Sequence, residues 1–112
     1  MPADKGFHDA VMDLLAPLGE VRSRAMFGGY GIFHEDDMFA LISGSTLFLR
    51  IDDSTRSKFE QAGSRQHRPM PYYSVPPEVM QDGTKLHEWA RTAIDTAHAM
   101  PKKKAGKGRP LG

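Results

Sequence analysis

Between Val21 and Asp52 the chain holds four strand-like segments, Val21 to Phe27, Tyr30 to His34, Met38 to Ser43 and Thr46 to Asp52, with only two or three residues at each joint. Gly28-Gly29, Glu35-Asp36-Asp37 and Gly44-Ser45 can reverse a strand, but none has the dozen or more residues that a parallel crossover needs. Joint length alone therefore dictates an antiparallel meander. In the fourth segment Leu47, Leu49 and Ile51 point one way and Phe48 and Arg50 the other, the alternation of a sheet with one buried face.

Helical periodicity brackets these strands. Asp4 is placed to cap a first helix on which Phe7, Val11, Leu14, Leu15 and Leu18 recur at the spacing of one face, with Pro17 and Gly19 ending it. Asp52 or Asp53 caps a second helix running to about Ala62, with Phe59 inward and Gly63 as its stop. Residues 63–70 have no period and read as a loop. Met70 to Val75 reads as an edge or irregular strand, because Pro71 has no N–H to donate to a ladder. Pro76-Pro77 open a helical turn, and after Asp82-Gly83 a last helix carries Leu86, Trp89, Ala90, Ala93, Ile94 and Ala97 on one stripe. The expected fold class is α+β: two layers, an antiparallel sheet of four to five strands with helices packed on it.

A chain of 112 residues suits one domain with a single core, and the absence of cysteine removes disulfides, iron–sulfur clusters and thiolate zinc sites. Neither a secretion signal nor a membrane span is expected, and the default location is the cytoplasm. The net charge of +1 sums two unlike parts: Lys102, Lys103, Lys104, Lys107 and Arg109 supply +5, leaving 10 basic and 14 acidic side chains in residues 1–100. The expected organisation is a mildly acidic domain over residues 1–100 and a disordered basic tail over 101–112.

Several ordered blocks carry a family resemblance. Arg24-Ala25-Met26-Phe27-Gly28-Gly29-Tyr30-Gly31-Ile32-Phe33, Met38-Phe39-Ala40-Leu41-Ile42, Leu47-Phe48-Leu49-Arg50-Ile51-Asp52-Asp53, Phe59-Glu60-Gln61-Ala62-Gly63, Met70-Pro71-Tyr72-Tyr73 and Leu86-His87-Glu88-Trp89-Ala90-Arg91 resemble successive blocks of the TfoX (Sxy) N-terminal domain family. The resemblance extends from about Phe7 to Ala97. It implies a two-layer, secretion-chaperone-like α+β fold in a bacterial cytoplasmic protein, within a family named for regulators that assist transcription of competence genes. The full-length regulator has a second, helical C-terminal domain where this chain has its lysine-rich tail. Met26, Phe27, Gly28, Gly29, Tyr30 and Gly31 form the structural signature.

No residue set specifies a reaction. Gly28-Gly29-Tyr30-Gly31 lacks the Gly-x-Gly-x-x-Gly order, the Gly-Lys-Ser/Thr ending of a P-loop and a helix directly behind it, so it reads as a hairpin in which Gly28 and Gly29 relieve the turn and Gly31 leaves room for a side chain or a bulge. His8, His34, His67, His87 and His98 show no paired metal spacing, no Gly-x-Ser-x-Gly elbow occurs, and Asp36-Asp37 and Asp52-Asp53 are explained by a turn and a cap. The reading is a non-enzymatic protein with no metal and no cofactor. Arg22 and Arg24 share one strand face, and with Arg50 they would form an anion or partner site unless they pair with carboxylates such as Asp52. Tyr72 and Tyr73 serve either the core or a partner surface. The preferred function is a regulatory interaction module that pairs through a sheet edge or face with another copy of the chain or with a component of the transcription machinery. The alternative is direct nucleic-acid binding through the tail together with Arg22, Arg24, Arg56, Lys58, Arg65 and Arg68, and a third reading is a small anion-binding domain. An acidic body argues for the first.

Overall fold

The structure, a computed structural model, describes residues 4–26, 28–68 and 70–99. Helix α1 (Lys5–Leu15) starts at Asp4, whose carboxylate accepts the Phe7 amide at 3.2 Å, and runs into a 3-10 turn, Ala16–Leu18, that contains Pro17. Five strands follow: β1 (Val21–Met26), β2 (Gly29–His34), β3 (Asp37–Ser43), β4 (Thr46–Arg50) and β5 (Tyr72–Ser74). They lie in the sheet in chain order, every neighbouring pair antiparallel, as the short joints require. A bulge shifts the β2–β3 register between Ile32 and Phe33.

Helix α2 (Asp53–Gln61) separates β4 from β5, and its cap is Asp52 rather than Asp53. The Asp52 carboxylate accepts the Ser54 and Thr55 amides at 2.9 and 3.0 Å, while Thr55 Oγ1 accepts the Asp52 amide at 3.0 Å, satisfying amides that the first turn leaves unpaired. Helices α3 (Pro77–Met80) and α4 (Gly83–Ala99) complete the chain's ordered elements among the described residues. Within them no helix is long and apolar enough to cross a membrane.

The helices cover one sheet face. Ile32, Ala40, Ile42, Leu47, Leu49 and Tyr73 meet Val11, Leu15, Phe59, Leu86, Ala90 and Ile94 in the main core, with Trp89 edge-on to Phe59 at 4.7 Å between ring centres. Two expectations are corrected here. Leu14, read as part of the buried stripe of α1, is 38% exposed, because adjacent helical residues are about 100° apart and the seam set by Val11 and Leu15 leaves it at the margin. The strand read as ending at Asp52 stops at Arg50, although Ile51 stays buried and donates its amide to Pro71 O at 2.9 Å.

The far face is also buried in its middle, which the alternation in β4 does not convey. Leu41, Phe48 and Tyr72 are 5%, 4% and 2% exposed and form a second cluster with Met38 and Met70. The segment after α2, read as a plain loop, turns back along β5: Ser74 N donates to Arg65 O and His67 N to Tyr72 O, both at 2.8 Å, and Gln66 bridges Tyr73. Its His67 ring stands edge-on to Phe48 at 5.0 Å and 81°. One phenyl ring removed from water there contributes about 1.5–3 kcal/mol toward holding the segment over the face.

Candidate functional site: the β1 edge and its arginines

The two edges of the sheet differ. The outer side of β5 is taken by residues 65–67, whereas among the described residues no backbone group pairs with the outer side of β1. β1 alternates half-buried Val21 and Ser23 with exposed Arg22 and Arg24, so a strand with free N–H and C=O groups presents two cations beside them. Its inner anchoring comes from α1, where His8 Nε2 lies 2.8 Å from Ser23 Oγ and the His8 ring stacks on Tyr30 at 4.0 Å.

The three arginines expected to converge do not. Arg22 Nη2 donates to Asp36 Oδ1 at 3.2 Å in a pair whose side chains are 63% and 97% exposed, a geometry that holds the guanidinium weakly and leaves it accessible. Arg24 lies over the Phe33 ring at 5.8 Å. Arg50 is three strands away, roughly 14 Å at ordinary strand spacing, and lies over Tyr72 at 5.7 Å, with its buried Nε lacking a hydrogen-bond partner. Asp52 is committed to its cap and pairs with none of them. Arg22 and Arg24 thus form the edge pair, and Arg50 belongs to the far-face cluster.

Tyr72 and Tyr73 sit inside the protein. Tyr72 donates to Met38 O at 3.2 Å, and burial pushes its phenol up against the opposing pull of Arg50. Tyr73 faces the helices and donates to Glu60 Oε2 at 3.0 Å, with burial and that carboxylate both raising its phenol. Neither offers an accessible ring to a partner. The cations weighed for nucleic acid are also divided: Arg56 pairs with Asp53 at 3.4 Å, Lys58 lies 4.4 Å over Trp89, and Arg65 runs beside β5, at the opposite edge from Arg22 and Arg24. Lys102, Lys103, Lys104, Lys107 and Arg109 lie outside the described residues, as does Phe27 of the signature.

The glycines of the signature have separate reasons. Gly28 turns at φ +74, and Gly29 is a strand residue whose α-carbon faces a carbonyl: a Cβ there would stand 2.1 Å from Ile42 O. At Gly31 a Cβ would meet the Met26 and Met38 sulfurs at 2.8 and 3.0 Å, so both methionines lie across this position. Sequence reasoning placed Gly29 in the turn; its need for no side chain comes from the neighbouring strand.

The family model of the TfoX N-terminal domain matches residues 13–97, which takes in β1, the whole sheet and nearly all of α4. This chain belongs to the TfoX N-terminal domain family. A curated relative, the DNA transformation protein TfoX1 of Aliivibrio fischeri (strain ATCC 700601 / ES114), is 32% identical over 71 residues, covering 63% of this chain and 34% of that protein. The chain therefore aligns with about a third of the relative's length. Within the TfoX N-terminal domain the matched span begins inside α1, so the edge strand and both of its arginines fall in the shared region.

What spacing in the chain could not reveal is a histidine cluster beside this edge. His34 at the end of β2 and His98 in the last turn of α4 bring Nδ1 and Nε2 to 2.8 Å, and His98 Nδ1 lies 2.5 Å from Asp37 Oδ2. Sixty-four positions separate the two rings, so no local motif announces them.

Proposed function

We propose that this chain is a non-enzymatic regulatory module of the bacterial cytoplasm that binds an acidic, extended segment of a protein partner along β1. The observation that carries the reading is the asymmetry of the sheet: its β5 edge is closed by residues 65–67 and its β1 edge, among the described residues, is not. An extended segment added there would gain main-chain hydrogen bonds, and carboxylates on it would meet Arg22 and Arg24. A second copy is a poorer occupant. Pairing two β1 strands with their helices on the same side sets even-numbered residues opposite even-numbered ones, which puts arginine beside arginine.

The name of the A. fischeri relative, a DNA transformation protein, supports placing that contact in DNA transformation; we take the transcription machinery as the source of the partner segment. The test is a titration of the full chain against purified bacterial RNA polymerase holoenzyme and, separately, against double-stranded DNA. Binding to the polymerase that weakens about tenfold or more in R22E/R24E, with the double variant as well folded as the parent, supports the reading. Saturable DNA binding whose log affinity falls with log salt at a slope near −4 to −5, abolished by deleting residues 101–112, would instead install the tail as the functional element.

A further inference from the structure

We propose that His34, Glu35 and His98 form a binding site for a single divalent transition-metal ion of the zinc class, with Asp37 as the group that orients His98. The ligand atoms of the three residues all lie within 4.8 Å of one another. His34 Nδ1 and His98 Nε2 are 2.8 Å apart, their rings nearly perpendicular at 72°. Zinc–imidazole bonds of about 2.0–2.1 Å at tetrahedral angles set two ligand nitrogens about 3.3 Å apart, so the pair needs to open by only a few tenths of an ångström. A carboxylate oxygen from Glu35 supplies the third ligand and solvent the fourth, since Glu35 is exposed.

The surroundings match what a metal-binding imidazole requires. A ligating histidine ordinarily donates its second ring nitrogen to a carboxylate, which fixes both tautomer and orientation. Asp37 Oδ2 lies 2.5 Å from His98 Nδ1; with a proton on that Nδ1, His98 Nε2 presents its lone pair toward His34, and metal binding moves the His34 proton from Nδ1 to Nε2, freeing Nδ1 as the second ligand. Asp37 is 17% exposed and His98 33%, so this contact is shielded while the ligand side stays reachable. Glu35 is held at φ +58, a left-handed conformation unusual for a residue with a side chain, and its amide is anchored to Glu20 O at 3.0 Å. That conformation belongs to the two-residue turn joining β2 to β3, which fixes the Glu35 backbone beside His34. Two imidazoles and one carboxylate favour zinc, nickel, cobalt or copper over magnesium or calcium, which prefer all-oxygen sites.

A bound ion would clip the last turn of α4 to the β2–β3 hairpin, next to the open β1 edge. The proposal is independent of what that edge binds. A histidine chain that only hydrogen-bonds Asp37 to His98 and His34 would make Glu35 dispensable, and this distinguishes the two.

The experiment is a calorimetric titration of zinc into the untagged full chain, with a rise in melting temperature on zinc addition as a second readout. One equivalent bound is expected, with affinity reduced at least about 100-fold in His34→Ala and in His98→Ala, and about 10- to 100-fold in Glu35→Gln and in Asp37→Asn. His87→Ala, whose ring contacts Leu14 O about three turns nearer the start of α4, roughly 16 Å along the helix, should bind zinc as the parent does. Should the alanine variants fail to fold, cobalt added to the parent chain must shift amide resonances centred on residues 34–37 and 98. Absence of stoichiometric zinc binding, binding undiminished in both histidine variants, full affinity in Glu35→Gln, or cobalt shifts centred elsewhere would each overturn the proposal.

Discussion

At the scale of single residues, Gly29 and Gly31 are required by different neighbours, and their substitutions separate accordingly. Gly29→Ala places a methyl 2.1 Å from Ile42 O, a backbone atom that cannot turn aside, so β2 and β3 must move apart. We expect a loss of about 3 kcal/mol or more, read from the midpoint of urea unfolding. Gly31→Ala meets only the ends of Met26 and Met38, flexible thioethers that can rotate away, and should cost about 1 kcal/mol or less. Equal losses at the two positions would refute the assignment. Asp52 offers a second residue-scale measurement. Hydrogen bonds from Ser54 and Thr55 hold its carboxyl below the usual carboxylate range, so its folded-state pKa is depressed relative to the unfolded chain. The stability it contributes is therefore complete above the unfolded value and is lost as pH falls through the folded one. Asp52→Ala should cost about 1 kcal/mol at pH 7, and the gap from the parent should close as the medium is acidified below pH ~4. A gap independent of pH would mean that the cap acts through something other than its charge. The presence of a cap was legible in the sequence; the choice of Asp52 over Asp53 was not, since both are cap residues and only the backbone direction leaving β4 selects one.

At the scale of elements, periodicity predicted which helix faces turn inward but not how wide each buried seam is. Leu14 and Leu15 read alike in the sequence, yet Leu15 is fully buried and Leu14 is 38% exposed. Leu15→Ala should cost about 2–5 kcal/mol and Leu14→Ala about 0.5 kcal/mol or less, both measurable by chemical denaturation followed through Trp89 fluorescence. The strands tell the same story in reverse. Phe48 alternates onto the face that a half-buried sheet would leave in water, but His67 and Met70 fold over it. Phe48→Ala should therefore behave as a core substitution, with a loss of about 3 kcal/mol or more, and a near-neutral result would mean the far face is open. Nothing in the sequence after α2 signals that return, because Arg65 and His67 are held by main-chain bonds to β5 that any side chains could accompany.

At the scale of the whole molecule, the meander leaves its first strand at one edge and its fifth under a returning segment, and this asymmetry decides where a partner can add. The arginines on β1 disfavour self-pairing, so light scattering should give the mass of a single chain up to about 100 µM; a twofold mass lost in R22E/R24E would assign the edge to a second copy instead. By itself the sequence determined the antiparallel meander, the helix stripes, the family and the shared strand face of Arg22 and Arg24, because joint length, periodicity and strand alternation are local quantities. Only the tertiary structure decided that Arg50 lies three strands from them, that Tyr72 and Tyr73 are interior, and that His34 meets His98 beside Asp37. Those outcomes depend on which strands become neighbours and where α4 ends over the sheet. Packing between segments far apart in the chain fixes both, and no spacing within either segment encodes it.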